Sequence, residues 1–295
     1  MDAADLRIFE AVARVGGMGR AAEVLHTVQS NVTARVRSLE DELGTRLFRR
    51  HARGVELTSA GSRLLPYAQR MARLLEDARR AALDEGSPQG PLVIGALETS
   101  TALRLSRPLA AYVAAYPDVD LTLRTGTTCE LMDQVLDHAL EGAFVCGPVA
   151  HPDLHITPVF TEELALLTAP SIASLDELTA RGEVRIVVLR AGCSYRQRLE
   201  ELLTQRGIAS PRVLEFGTVE ALFGCVAANL GVTLLPRALV GPVWQEGRVA
   251  VHSLPPADAM VETVFIRRQD VYLSSALAAF LAMLRPATGV RMAAE

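Results

Sequence analysis

Hydrophobic positions recur along this chain with spacings that change from one segment to the next. In LRIFEAVARV, Leu6, Phe9, Val12 and Ala13 fall on one helical face, and GRAAEVL places Ala21, Ala22 and Leu25 inward on a shorter helix. The small residues of that second segment let another helix approach closely. SNVTARVRSLEDEL repeats the helical spacing with Val32, Val36, Leu39 and Leu43, and Gly44 is well placed to end it. TRLFRRHARGVELT then alternates apolar and polar residues about Gly54, which predicts a two-stranded wing.

From Thr58 to about Leu83 the pattern returns to a long helix. Leu64, Ala68, Met71, Leu75 and Ala78 approximate a 3.5-residue repeat, a seam for pairing with a second helix. Packing onto its own domain is the alternative. Pro66 should remove a hydrogen bond and bend the helix near its start. EGSPQGP, residues 85–91, reads as a linker. Beyond it, short apolar strands alternate with helices: LVIGAL, VDLTLRT, GAFVC, ITPVF, LALLTA, RIVVL, RVLEF, VTLLP and ETVFIRR among the strands, with SYRQRLEELLTQRG, VEALFGCVAANLG and SSALAAFLAMLRP among the helices. That alternation predicts a mostly parallel sheet covered by helices.

Composition narrows the function. A chain of 295 residues can hold two or three modules, and 49% apolar with 22% charged residues is ordinary for a globular protein. No stretch reaches 18 uninterrupted apolar residues, so no membrane span is expected, and MDAADLRIFEAV lacks the features of a secretory signal. A cytoplasmic location follows as an expectation. The chain contains no lysine, so all 30 basic residues are arginines. Walker A loops, Schiff-base lysines and Ser-x-x-Lys pairs are thereby excluded. Cys129, Cys146, Cys193 and Cys225 form no CxxC pair, which argues against disulfide staples and structural zinc. His151 and His155 in HPDLH have no partner cluster and fit a loop better than a metal site. No cofactor or metal is expected.

Charge is uneven: residues 1–85 carry 14 arginines against 12 acids, and residues 86–295 carry 16 against 22. The small positive balance matters only through placement. Gln29, Ser30 and Thr33 occupy the exposed side of the third helix's first turn, opposite Val32 and Val36. Glutamine can bond an adenine edge twice, and hydroxyls suit bases or phosphates. Arg35 and Arg37 flank them, and Arg49, Arg50 and Arg53 lie in the wing, placed for phosphates. The acids Glu40, Asp41 and Glu42 cluster at the far end of the helix. The segment Arg20–Leu43 thus resembles a DNA-binding helix-turn-helix, whose second helix enters the major groove by its N-terminal end.

Taken together, GRAAEVLHTVQSNVTARVRSLEDELGTRLFRR…GVELTSAG is similar to the N-terminal signature of LysR-type transcriptional regulators: the paired alanines, the Q-S turn, LE..LG..LF.R and LT.AG stand in register. The resemblance covers essentially the whole chain. It implies an α/β protein with an N-terminal winged helix-turn-helix, a long linker helix and a C-terminal two-lobed α/β domain like type 2 periplasmic binding proteins. The boundaries expected are 1–58 for the DNA-binding domain, 59–86 for the linker and dimerisation helix and 87–91 for a hinge. An effector-binding domain then spans 92–295, with lobe I about 92–161 and 267–295 and lobe II about 162–266. The implied partners are double-stranded promoter DNA, a small-molecule effector, and further copies of the chain, as a dimer through the linker helix and then a tetramer.

Two residues depart from the family pattern. Val28 stands where a capping hydroxyl usually precedes the glutamine, so Thr27 or Ser30 would have to cap the helix. Ala34 stands where an arginine is frequent, with Arg35 beside it.

In the effector domain, the resemblance places a ligand cleft at Thr99 and Ser100, Thr127 and Thr128, Cys193 and Ser194, and Gly217 and Thr218. Hydroxyls and helix N-termini favour an anion such as a small carboxylate or an amino acid, with Arg196 as counter-charge. Simple helix capping is the alternative for each residue. Cys193 lies near the reactive cysteine of the family's peroxide sensors, so thiol-based sensing is a second reading, although no resolving cysteine follows in the next helix. An α/β enzyme with an appended helical module is a third. It would need a nucleophile–base pair or metal cluster, and the sequence shows none, so no enzymatic activity is expected.

Overall fold

The computed structural model describes residues 1–51, 54–174, 177–178, 184–189, 194–208 and 210–284, which fall into two compact units, Met1–Asp84 and Glu85–Glu295. In the first, Asp2 and Asp5 form a capping box that starts α1 (Ala3–Val15), followed by α2 (Met18–Val24) and α3 (Gln29–Leu43). Gly44 ends α3 in the left-handed conformation, at φ 64°. Phe9, Val12, Ala21, Val32, Val36 and Leu39 bury the facing stripes as the spacing predicts. The wing is the antiparallel pair β1 (Phe48–His51) and β2 (Gly54–Leu57), in register from Phe48↔Leu57 to His51↔Gly54.

Thr58 accepts from the Gly61 N–H and starts α4 (Ser59–Leu83), which continues through Pro66. Gly61 is needed for its size: a Cβ there would stand 2.2 Å from the Leu47 carbonyl oxygen, so α4 could not close on the start of the wing. The expected seam divides in two. Leu64, Ala68 and Met71 pack into the domain's own core, whereas Leu74, Leu75, Ala78 and Leu83 are exposed. Self-packing therefore accounts for the first half of the stripe only.

The second unit begins with β3 (Gly90–Ala96), so the last two residues of the expected hinge are already strand, with Gly90 paired to Val119. There follow a helical run made of α5 (Glu98–Ser100), a π-turn at Thr101–Leu105 and α6 (Ser106–Ala115), then β4 (Val119–Thr125), α7 (Thr128–Leu136) and β5 (Gly142–Cys146). The segments ITPVF and LALLTA are one strand, β6 (Leu154–Thr168), that runs through the polar Thr161–Glu163. Beyond it lie β7 (Arg185–Leu189), α8 (Ser194–Thr204), β8 (Arg212–Phe216), α9 (Val219–Ala227), β9 (Thr233–Pro236), α10 (Arg237–Gln245), β10 (Ala250–Ser253), α11 (Pro256–Ala259), β11 (Met260–Arg268) and α12 (Ser275–Leu284).

The expected mostly parallel sheet needs correction. β3 runs parallel to β4 and β5, and β7 to β8, but β11 is antiparallel to both β5 and β6, and β6 is antiparallel to β9 and β10. The chain crosses between lobes twice, and the returning strand must run opposite to the outgoing one. β6 pairs with β11 up to Glu163 and with β9 from Leu164, so one strand passes from the first lobe's sheet to the second's at that point. Since β11 pairs along its length with first-lobe strands, the return crossing falls near Ala259–Met260, ahead of the expected 266–267.

Candidate DNA-reading helix and effector cleft

The turn into α3 is built by His26, which adopts a left-handed φ of 51°, and by the Thr27 N–H donating to the Ala22 carbonyl at 2.9 Å. Val28 is the N-cap, extended and 64% exposed, and no side chain caps the helix. Thr27 does not take up the task expected of it, because its hydroxyl accepts from the Asn31 side-chain amide at 3.0 Å. Ser30 does not either. The first turn of α3 therefore presents its backbone N–H groups without a side-chain acceptor. Gln29 and Ser30 are exposed beside them, Thr33 is half-buried, and Arg37 and Arg49 are exposed. Arg53 and the side chain of Arg50 lie outside the described residues.

Two charged residues depart from their expected setting. Arg35 donates to Asp5 at 2.8 Å and to Asp2 at 3.5 Å, so it ties α3 to the N-terminus of α1. The hydrogen bond and charge of Asp5, then the charge of Asp2, hold its pKa above the ordinary arginine value. Glu40, read with Asp41 and Glu42 at the far end of the helix, is only 4% exposed. Its carboxylate accepts from Arg46 at 2.8 Å and from the backbone N–H groups of Leu47 at 2.8 Å and Phe48 at 3.2 Å. Burial alone would raise its pKa, but these three donors together hold it below the usual carboxylate range. Glu40 thus fixes the start of the wing against α3.

In the second unit a cavity of about 360 Å³ opens at the carboxyl ends of five strands. The first lobe lines it with Leu97, Glu98 and Thr99 after β3, with Thr125 to Thr127, Glu130 and Gln134 around the start of α7, and with Cys146 at the end of β5. The second lobe contributes Leu189, Ser194, Tyr195, Phe216 and Gly217. Strand ends are where open α/β sheets place ligands, because helix starts and free backbone groups converge there.

Of the expected cleft residues, Thr99, Thr127, Ser194 and Gly217 line this cavity. Thr128 lies just behind it, with its hydroxyl 3.0 Å from that of Ser194 and accepting the Cys146 N–H at 3.4 Å. Ser100 is fully buried and its hydroxyl has no partner among the described residues. Thr218 caps α9 by accepting from the Ala221 N–H at 3.3 Å and does not line the cavity. Arg196 is turned to Glu200 at 2.9 Å and Glu215 at 3.9 Å, away from the cleft, so the expected counter-charge is not there. Cys193 lies outside the described residues.

Comparison with known proteins reads both halves together. Residues 3–62 match the family of bacterial regulatory helix-turn-helix proteins, lysR family, and residues 85–289 match the LysR substrate binding domain. The chain belongs to the LysR family. Among curated LysR-type relatives it is 43% identical over 286 residues to the uncharacterized HTH-type transcriptional regulator YusT of Bacillus subtilis strain 168, covering 97% of this chain and 96% of that one. It is 41% identical to the HTH-type transcriptional regulator GltR of the same organism, covering 95% of each. A crystal structure of full-length CbnR with its target DNA superposes with a TM-score of 0.66 at 25% identity, covering 98% of this chain and all of that one. The protein is a DNA-binding transcriptional regulator with an effector-binding domain, and its family is one of regulators rather than enzymes.

Tyr195 and Glu162 are the LysR-domain residues that sequence reading missed. Tyr195 is buried, lines the cleft, stands 3.4 Å from the Thr99 hydroxyl across the lobes, and hydrogen-bonds Glu162 behind it. Glu162 is 4% exposed and receives Arg104 at 3.3 Å, while its Oε2 has no partner among the described residues. Burial raises its pKa, and Arg104 and Tyr195 only partly oppose that. A signal was available in TEE, where polar residues interrupt an otherwise apolar strand.

Proposed function

We propose that this LysR regulator reads promoter DNA with Gln29, Ser30 and Thr33, and that a small polar molecule in the cleft between its lobes controls that binding. The observation that carries the reading is the start of α3: an exposed, uncapped first turn whose polar side chains face solvent while Val32 and Val36 are buried behind them. Free N–H groups and the positive end of the helix suit a DNA phosphate, and Gln29 is left to address a base edge. Arg37, Arg49, Arg50 and Arg53 supply further phosphate contacts in this reading. Arg35 does not, since Asp2 and Asp5 already hold it.

The exposed half of α4, with Leu74, Leu75 and Leu83, supports pairing with a second copy. A dimer, and a tetramer built from two of them, would then cover half-sites about 34 Å or a multiple apart on cytoplasmic promoter DNA. With Arg196 turned away, the cleft holds its effector by hydroxyls, backbone groups and its acidic side chains. Thiol sensing through Cys193 has no described geometry to support it.

The reading is tested by selecting binding sites from random duplex DNA with the purified protein. Gln29→Ala should keep the fold and lose about 1–3 kcal/mol of discrimination at one base position; an unchanged preferred sequence would place the reading helix elsewhere. For the cleft, a small molecule that stabilises the protein should lose its effect in Gly217→Leu. A Cβ at Gly217 meets no atom within 4 Å, so a larger side chain can start from this cleft-lining position without a clash at its first atom.

A further inference from the structure

Val28 stands out within the helix-turn-helix as an apolar side chain that the protein leaves uncovered. It is more exposed than Val24 or Leu43, and it does not join the side chains packed on the core of the first unit. It is the N-cap of α3, a position where valine is among the least favoured residues because it offers the free N–H groups no acceptor. Neither burial nor capping therefore accounts for it. Gln29 and Ser30 are exposed beside it, and residues 26–39 include two arginines and no acid, so nothing there repels DNA. Thr27 is half-buried with its hydroxyl engaged by Asn31, and Val32 is buried. Val28 is thus the exposed source of methyl groups at the entry to α3. In a helix-turn-helix that end of the second helix meets base edges in the major groove. The bases offer one apolar group there, the C5-methyl of thymine.

We propose that Val28 is a specificity-determining residue that reads the C5-methyl group of a thymine next to the base addressed by Gln29. The proposal rests on α3 being the reading helix and adds the kind of base pair that its entry selects. The side chain can bury its methyls against a thymine methyl and can make no hydrogen bond to any other edge. A hydroxyl at residue 28 would serve the helix; a valine there serves the groove.

The test replaces thymine by deoxyuridine, one position of the half-site at a time, in the duplex that the full-length protein selects from random DNA. The exchange removes a methyl group and leaves every hydrogen-bonding edge in place. At fixed salt one position should cost about fourfold in affinity, the worth of one methyl taken from water. Val28→Ser should bind the thymine and uracil duplexes alike at that position, and Val28→Ile should keep the difference. Because a serine caps α3, Val28→Ser should melt no earlier than the wild type, so lost discrimination cannot come from unfolding. A wild type indifferent to every exchange, or penalties that all persist in Val28→Ser, overturns the proposal. In the second case Thr33 or the exposed Ala34 meets the methyl. If Gln29→Ala still shifts the preferred sequence, α3 remains the reading helix and only the valine falls. If Gln29→Ala and Val28→Ser both leave the preferred sequence and the penalties unchanged, or the wild type selects no sequence, both readings fall.

Discussion

Glu40 and Glu162 are both 4% exposed, yet their surroundings push them in opposite directions. Glu40, in the DNA-binding unit, has three donors around one carboxylate and is held below its ordinary pKa. Glu162, beside the candidate cleft, has Arg104 and Tyr195, keeps one oxygen without a partner among the described residues, and is raised by burial. A carboxylate satisfied on every side is a structural bolt, whereas one left partly unsatisfied marks a place where something else is meant to arrive or move. The contrast separates a unit that must hold a rigid shape against DNA from a unit that must respond.

The largest expected effect tests the bolt. Glu40→Ala leaves the Leu47 and Phe48 amides buried without an acceptor and frees Arg46, and should destabilise the DNA-binding unit by about 3 kcal/mol, read from its unfolding transition in urea. A loss under about 1 kcal/mol would erase the distinction drawn here.

Next comes pH. Since Glu40 is lowered in the folded state, its stabilisation is present above the unfolded glutamate pKa of about 4.3 and is lost as pH falls through the folded value. Glu162 is raised, so its stabilisation is present below about 4.3 and is lost as pH rises through its folded value. Hydrogen exchange should show β1 and β2 losing protection towards acid, and β6 towards alkali. Glu162→Gln should strengthen β6 by about 1 kcal/mol at pH 8 and leave it unchanged at pH 4.

Arg35 and Arg37 sharpen the comparison within α3. Arg37→Ala should lower the slope of log affinity against log salt by about 1, because one phosphate contact is removed. Arg35→Ala should leave that slope unchanged and lower the unfolding midpoint slightly by removing its half-buried pair with Asp5. The smallest effect is Val28→Ser, which supplies the missing cap and should stabilise the unit by roughly 0.5–1 kcal/mol in thermal unfolding.

Much of the first unit was legible because its contacts are close in sequence. The stripe Val32, Val36 and Leu39, the stop at Gly44 and the turn at Gly54 each follow from local spacing, and the structure repeats them. What escaped reading depends on distant partners. Arg35 looked free because Asp5 lies thirty residues away, and the structural role of Glu40 was not legible because the amides it accepts from, those of Leu47 and Phe48, lie beyond Gly44 at the start of the wing. The cleft was legible at Thr99, Thr127, Ser194 and Gly217, each beside a strand end. Tyr195 and Glu162 were not, since only the folding of one lobe over the other brings Tyr195 to Thr99. Thr161–Glu163 looked like a gap between strands because polarity usually ends a strand, and here it marks the crossing instead.

That crossing has a mechanical consequence. β6 belongs to both sheets, and it changes partners between Glu163 and Leu164. The lobes are therefore joined by a stiff bar with no slack, and they can shift only if the bar bends. Leu164–Thr168 carries the strand about 16 Å past the changeover, so a bend of about 5° there moves its end by about 1.4 Å. A shift of that size is enough to break or remake the 3.4 Å approach of Thr99 to Tyr195. An occupant that tightens one side of the cleft is felt as torque along the whole of β6, next to the carboxylate of Glu162.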